Sequence, residues 1–293
     1  DAGAVYVYSP DSTGWNLHSY LKASTTDGAD LFGDALAVSG NTLVVGATNA
    51  GGTGHCAVFT YDGTSWSEEA ILTGSNTLIN DVFGTGVAIS GETIVVGAPS
   101  EDTGLDGMIV SPNEEIGAAY VFVRNAGVWT EQAILKASNA GAGDGFGSAV
   151  AIAGDLMAIG ATGEDSDLSS PDNALAQNTG AVYLFRRNGS NWTQSAFLKG
   201  NVADLGGNFG QSLALSGGSL LIGAMGEDNG SGASYPVLIS EVAPTLTIKG
   251  AKTIRVDAST SRYLVRGTAA DVEGDLVRVE AMDSRSTGKK TFR

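Results

Sequence analysis

Cysteine is almost absent from the chain. Cys56 is the only one in 293 residues, so no internal disulfide can form, and a lone thiol is expected to serve as a small buried side chain. Histidine is limited to His18 and His55, and proline to six residues. No apolar run approaches the ~20 residues that cross a bilayer as a helix, so membrane insertion is not expected. No signal-like segment opens the chain; a start at Asp1 rather than Met suggests a processed chain or an excised fragment. Gly-x-Ser-x-Gly, His-Glu-x-x-His, P-loop and Cys-x-x-Cys patterns are all missing. His55 and Cys56 are neighbours, which in a strand sends their side chains to opposite faces and spoils a Cys–His dyad. The expectation is a protein that is not an enzyme.

Basic residues are scarce and unevenly placed. Sixteen Lys and Arg face 32 Asp and Glu, for a net charge of −16. Residues 1–236 hold 6 basic and 25 acidic side chains, net −19, whereas residues 237–293 hold 10 and 7, net +3. A surface this acidic repels phosphate backbones, which excludes nucleic acid as a partner of the long part. It favours basic partners or divalent cations.

Glycine is what the chain has in excess: 42 of 293 residues, about twice the usual ~7%. The glycines belong to an internal repeat. Trp15, Trp66, Trp129 and Trp192 are each followed six residues later by a leucine: Leu21, Leu72, Leu135 and Leu198. Eleven residues on come Phe32-Gly33, Phe83-Gly84, Phe146-Gly147 and Phe209-Gly210, and thirteen after those glycines come Gly46-Ala47, Gly97-Ala98, Gly160-Ala161 and Gly223-Ala224. The spacing from one Phe-Gly to the next is 51, 63 and 63 residues.

Each unit reads as four short strands of β-branched and aromatic residues bounded by Gly, Asn, Ser and Asp: an AVYVY-type strand, a Trp strand, a strand after Phe-Gly and a strand ending at Gly-Ala. The Phe-Gly strand has two unlike faces. Ala37, Ala88, Ala151 and Ala214 lie on one; Leu36 and Val38, Val87 and Ile89, Val150 and Ile152, and Leu213 and Leu215 lie on the other. Strand side chains alternate, so one face is small and the other large and apolar, as the crowded inner strand of a radial blade requires.

These residues resemble the FG-GAP repeat of integrin α-chain β-propellers and their bacterial relatives, over about residues 1–230. The resemblance implies an all-β fold of propeller-type blades and an extracellular or cell-surface, secreted setting. It is strongest to the bacterial branch, with its Trp-x₅-Leu-Lys-Ala-Ser signature. One departure concerns calcium. Integrin-type repeats carry an Asp-rich calcium loop between the Phe-Gly and Gly-Ala strands, but here that turn is Ser39-Gly40-Asn41, Ser90-Gly91-Glu92, Ala153-Gly154-Asp155 or Ser216-Gly217-Gly218. Such a Gly-x turn fits a tight II′ hairpin and offers at most one carboxylate where calcium takes six to eight oxygens.

Counted as blades, the chain holds an outer half (1–24), three whole blades and an inner half (209–225). The halves either join to close a four-bladed ring, or the chain is a fragment of a larger one. At residue 226 the repeat is expected to fail, with no further AVYVY strand. A linker then covers 231–243, and residues 244–293 resemble the start of a bacterial Ig-like β-sandwich domain, cut short.

Loops after Gly-Ala and before Phe-Gly share one face and carry all the length variation, which is where binding residues concentrate. The first set holds the acidic pairs Glu101-Asp102, Glu164-Asp165 and Glu227-Asp228 in register, with Asp167 nearby. The second holds Asp27, Asp30, Asp81, Asp144 and Asp204. Convergent carboxylates are ligands for hard cations, making Ca2+ the candidate cofactor; the alternative is a solvated acidic rim of local turn bonds. The four Trp could stack on sugars as in a lectin-like propeller, but one Trp per blade in register reads as a structural spacer. The functional expectation is a noncatalytic binding or adhesion module that meets a protein or a glycan at a cell surface, or else a structural segment of a large surface protein.

Overall fold

The computed structural model describes residues 2–25, 27–103, 114–166, 177–200 and 205–239, and beyond them the backbone of four short strands. The chain divides into two compact units, Asp1–Ile239 and Ser240–Arg293.

The first unit is all-β, with four blades following one another as in a propeller. A hairpin of β1 (Val5–Asp11) and β2 (Gly14–Leu21) comes first. Blade one is β3 (Phe32–Ser39), β4 (Thr42–Ala47), β5 (His55–Tyr61) and β6 (Trp66–Leu72). Blade two is β7 (Gly86–Ser90), β8 (Thr93–Ala98), β9 (Ala118–Asn125) and β10 (Val128–Leu135). Blade three is β11 (Phe146–Ala153), β12 (Leu156–Ala161), β13 (Ala181–Asn188) and β14 (Asn191–Leu198). Blade four is β15 (Phe209–Ser216), β16 (Ser219–Ala224) and β17 (Ala233–Leu238). Each blade is antiparallel in simple sequence order. The innermost strands pack in succession, β3 on β7, β7 on β11 and β11 on β15.

The seams between blades follow the two-faced pattern of the inner strands. Between blades one and two, Ala37, Val44, Cys56 and Val58 receive Val87, Ile89, Tyr120 and Phe122. Between blades two and three, Ala88, Val95 and Val121 receive Val150, Ile152, Tyr183 and Phe185. Large meets small at every seam, and the Gly-Ala glycine lets the backbones touch. A Cβ on Gly97 would stand 1.9 Å from the Gly147 carbonyl oxygen, and one on Gly160 2.2 Å from that of Gly210. The Ser-Gly-x turns are two-residue hairpins, with Gly40, Gly91, Gly154 and Gly217 at φ of 56° to 59° and no positive φ at the following residue, as a II′ turn needs.

Three expectations change. The repeat does not fail at residue 226: Ala233–Leu238 pairs with β16 from Ala224↔Ala233 to Ser219↔Leu238, so the propeller unit continues through Ile239 into the expected linker. Because β17 takes that edge, β1 does not complete the last blade, and β1–β2 stands as a sheet of its own. In the aligned AVYVY-type runs Phe59 falls at the position of Tyr6, Tyr120 and Tyr183, but it does not share their register. It faces Leu43 as Phe122 faces Ile94, and Ala57 occupies the tyrosine position opposite Val45.

In the second unit, β18 (Thr245–Ile248) pairs with β19 (Lys252–Arg255) and β20 (Glu280–Ala281) with β21 (Lys290–Thr291). The Ig-like resemblance of residues 244–293 otherwise lies outside the described residues.

Candidate functional site

The loops after Gly-Ala and before Phe-Gly do meet on one face. Backbone bonds join them within a blade, as in Asn49 N–H to Asp30 O (3.3 Å) and Gly163 N–H to Asp144 O (3.0 Å). Others join neighbouring blades, as in Gly143 N–H to Glu114 O (2.6 Å) and Phe146 N–H to Ile116 O (3.1 Å).

The in-register glutamates are not a solvated rim. Glu101, Glu164 and Glu227 are buried, as are Asp30, Asp81 and Asp144. In blade two, Glu101 takes Lys136 on one oxygen and Asn76 (2.8 Å) and the Thr103 hydroxyl on the other. Lys136 also donates to Gly117 O (3.0 Å), and the Tyr120 hydroxyl donates to Asn76 Oδ1 (2.8 Å). Blade three repeats this: Glu164 accepts from Lys199 (2.5 Å) and Asn139 (3.0 Å), Lys199 reaches Thr179 (2.6 Å), and Tyr183 donates to Asn139 (2.9 Å). In blade four, Tyr235 donates directly to Glu227. Blade one has Thr25, Ala50, Ala57 and Thr73 at the four positions, so it has lost the Asn–Glu–Tyr–Lys set whole, whereas blade four keeps the Glu and the Tyr with Val202 at the Asn position. This is the physics of a buried charge, which is costly alone and tolerable only with its cation and hydrogen bonds.

The remaining acidic residues cap loops. Asp81 accepts from Leu78 N–H (2.6 Å), Asp144 from Gly141 N–H (2.7 Å), and Asp30 from Asp27 N–H. Asp102 accepts from Glu115 N–H (3.0 Å) and Asp165 from Asn178 N–H (2.7 Å). Burial raises the Asp81 carboxyl to about 6 and the Asp144 carboxyl to about 7, helped by the neighbouring Glu101 and Asp102 or Glu164 and Asp165. Burial also lowers the Lys136 and Lys199 ammonium pKa values, against the pull of Glu101 and Glu164. Asp27 and Asp228 are exposed. Asp167 and Asp204 lie outside the described residues.

These residues do not fit a calcium ion as they stand. The carboxylates face the chain's own lysines, amides and backbone N–H groups, and among the described residues no three of His, Cys, Asp and Glu gather to hold a metal. The residues that sequence reasoning missed are the partners: Lys136, Lys199, Asn76 and Asn139. Their signal was present in the Leu-Lys-Ala-Ser signature. Its Lys neutralises the blade's own Glu. Its Ser reaches the next blade's Trp strand, as Ser24 does to Glu68 (2.7 Å from the N–H) and Ser75 to Glu131 (2.8 Å).

The aromatic candidates are mostly committed too. Arg124 covers the Trp129 ring at 5.0 Å and Arg187 the Trp192 ring at 5.2 Å, while Trp15 is exposed.

Comparison with known proteins agrees with the blade architecture. The FG-GAP repeat family matches four stretches, residues 15–61, 66–122, 129–185 and 192–238. The chain belongs to the FG-GAP repeat family. Each FG-GAP match runs from a Trp into the next AVYVY-type strand, and the last ends at Leu238, where β17 ends. No curated protein matches the chain.

Proposed function

We propose that this FG-GAP propeller is a noncatalytic binding module of an extracellular or cell-surface protein, engaging a protein partner through its loop-rich acidic face. The observation that supports this is the division among that face's carboxylates. The buried ones fix the loop roots, while Asp27 and Glu115 on the loops and Asp34 near the start of β3 remain exposed. A rigid base with an anionic rim suits a cationic protein surface, because complementary charge raises the rate of encounter and selects the partner. Catalysis has little to draw on. Burial pushes the Cys56 thiol pKa up, which suppresses the nucleophilic thiolate, and burial lowers that of His55. The glycan reading is weaker because arginines cover two of the four Trp rings.

The test is adhesion of the full chain to intact cells, compared with a variant carrying Asp27→Lys, Asp34→Lys and Glu115→Lys. The expected result is binding that weakens with salt and is lost on charge reversal. Undiminished, salt-insensitive binding by the variant would remove the acidic face from consideration.

A further inference from the structure

The loops that lead into the Phe-Gly strands share one backbone. In all four, φ is positive at the third and the first residue before the phenylalanine. These are Ala29 and Leu31, Asn80 and Val82, Gly143 and Gly145, and Gly206 and Asn208, at 50° to 83°. In three of the loops an aspartate accepts the N–H of the residue three positions earlier: Asp30 from Asp27, Asp81 from Leu78 (2.6 Å) and Asp144 from Gly141 (2.7 Å). This frame fixes the turn and leaves the pair at its tip free to vary. The pair is Asp27-Gly28 in the first loop, Leu78-Ile79 in the second and Gly141-Ala142 in the third. Three unlike pairs on one backbone mean that the turn requires none of them.

Leu78 and Ile79 are 46% and 71% exposed, although Gly-Ala serves the same turn in blade three. A single exposed aliphatic needs no explanation. Two side by side, at a tip the fold leaves free, call for one, because variable tips on a rigid frame are where binding residues sit. The loop below them is short. The link between β4 and β5 spans residues 48–54, where those between β8 and β9 and between β12 and β13 span 99–117 and 162–180. Hydrogen bonds tie the first two tip loops together across it. Asn49 donates from its N–H to Asp30 O (3.3 Å) and from its side chain to Ala29 O (2.8 Å). Gly52 N–H reaches Asn49 O (3.0 Å), and Asn80 N–H reaches Gly52 O (2.8 Å). Ile79 itself lies over Gly52, where a Cβ would stand 3.7 Å from the isoleucine Cγ2.

We propose that Leu78-Ile79 is the apolar anchor of the partner contact, seated on an apolar patch of a protein surface whose rim is basic. The inference rests on the acidic-face reading above and adds the place of the contact and the apolar half of the partner's chemistry. Charge complementarity commits the occupant to a basic rim, since Asp27, Asp34 and Glu115 are exposed and residues 1–236 carry a net charge of −19. Interfaces concentrate their energy in an apolar centre ringed by polar contacts. A turn held by the same bonds in several blades also gives up little freedom on binding.

The experiment pans a random-peptide display library against the full chain and measures the affinity of the enriched peptides for wild type and two variants. Leu78→Gly/Ile79→Ala installs the pair that blade three already carries on this backbone, so the turn is kept. The second variant is the charge reversal Asp27→Lys/Asp34→Lys/Glu115→Lys, and circular dichroism checks that both keep the wild-type fold. The expected peptides combine Lys or Arg with large apolar side chains. They bind the tip variant about tenfold or more weakly than wild type, and charge reversal or added salt weakens them too. Peptides that lose affinity on charge reversal but bind the tip variant as tightly as wild type would overturn the anchor and leave the acidic-face reading standing. Absence of enrichment, or peptides indifferent to both variants, would overturn the two together.

Discussion

A carboxylate removed from water costs several kcal/mol unless a cation and hydrogen bonds follow it inside. Glu164 has both, from Lys199 and Asn139. Replacing Lys199 with Met strands the anion, and the expected cost is about 3–5 kcal/mol, read as a lower urea midpoint. Lys199→Met with Glu164→Gln should recover part of that loss, because no uncompensated charge remains. Asp81 and Asp144 give the opposite kind of signature. Their carboxyls titrate at about 6 and about 7, above the ordinary ~3.9 of an unfolded Asp, so between these values the folded chain holds protons that the unfolded chain has released. Their contribution is complete below about pH 4 and fades as pH rises through 6 and 7. The lowered His55 works the other way, losing stability as pH falls through the ordinary range of an imidazole. Thermal unfolding of wild type and of Asp81→Asn/Asp144→Asn separates the two effects. The variant should lose the decline between pH 5 and pH 8 and be the more stable protein at pH 8.

At the scale of the strand, glycine has two separate duties, and substitution distinguishes them. Gly91 turns a hairpin at φ 56° with open space around its Cβ position, whereas Gly97 lies against the Gly147 backbone. Gly91→Ala should cost about 1 kcal/mol for a left-handed residue. Gly97→Ala forces backbone apart at a seam and should cost roughly 3 kcal/mol, both measured by urea unfolding. Strands were legible in the sequence because alternation and the Phe-Gly and Gly-Ala landmarks are local. Two errors of register were not avoidable that way. β5 carries Ala57 where its siblings have Tyr, which shifts the apparent AVYVY match by two residues. β17 reads as Ala-Ser-Tyr-Pro-Val-Leu, and Pro236 argues against a strand unless it lies at a sheet edge, which is where it lies. The buried network was illegible for another reason. Asn76, Glu101, Tyr120 and Lys136 come from separate strands and loops, and only the folded blade shows that they meet.

For the molecule as a whole, the acidic excess has two destinations. Part of it is internal, balanced residue by residue at the roots of the loops; the rest is external, available to a partner. The central claim is that the in-register carboxylates are scaffold, taken up by lysines and backbone N–H groups, and are not ligands waiting for a cation. Thermal unfolding of the full chain with excess calcium and with chelator tests it most directly. The account predicts superimposable curves. A site filled at a hundred times its dissociation constant adds about 2.7 kcal/mol, or roughly 5–10 °C in a domain of this size. A calcium-dependent rise of that size, abolished by Glu164→Gln, would contradict the account.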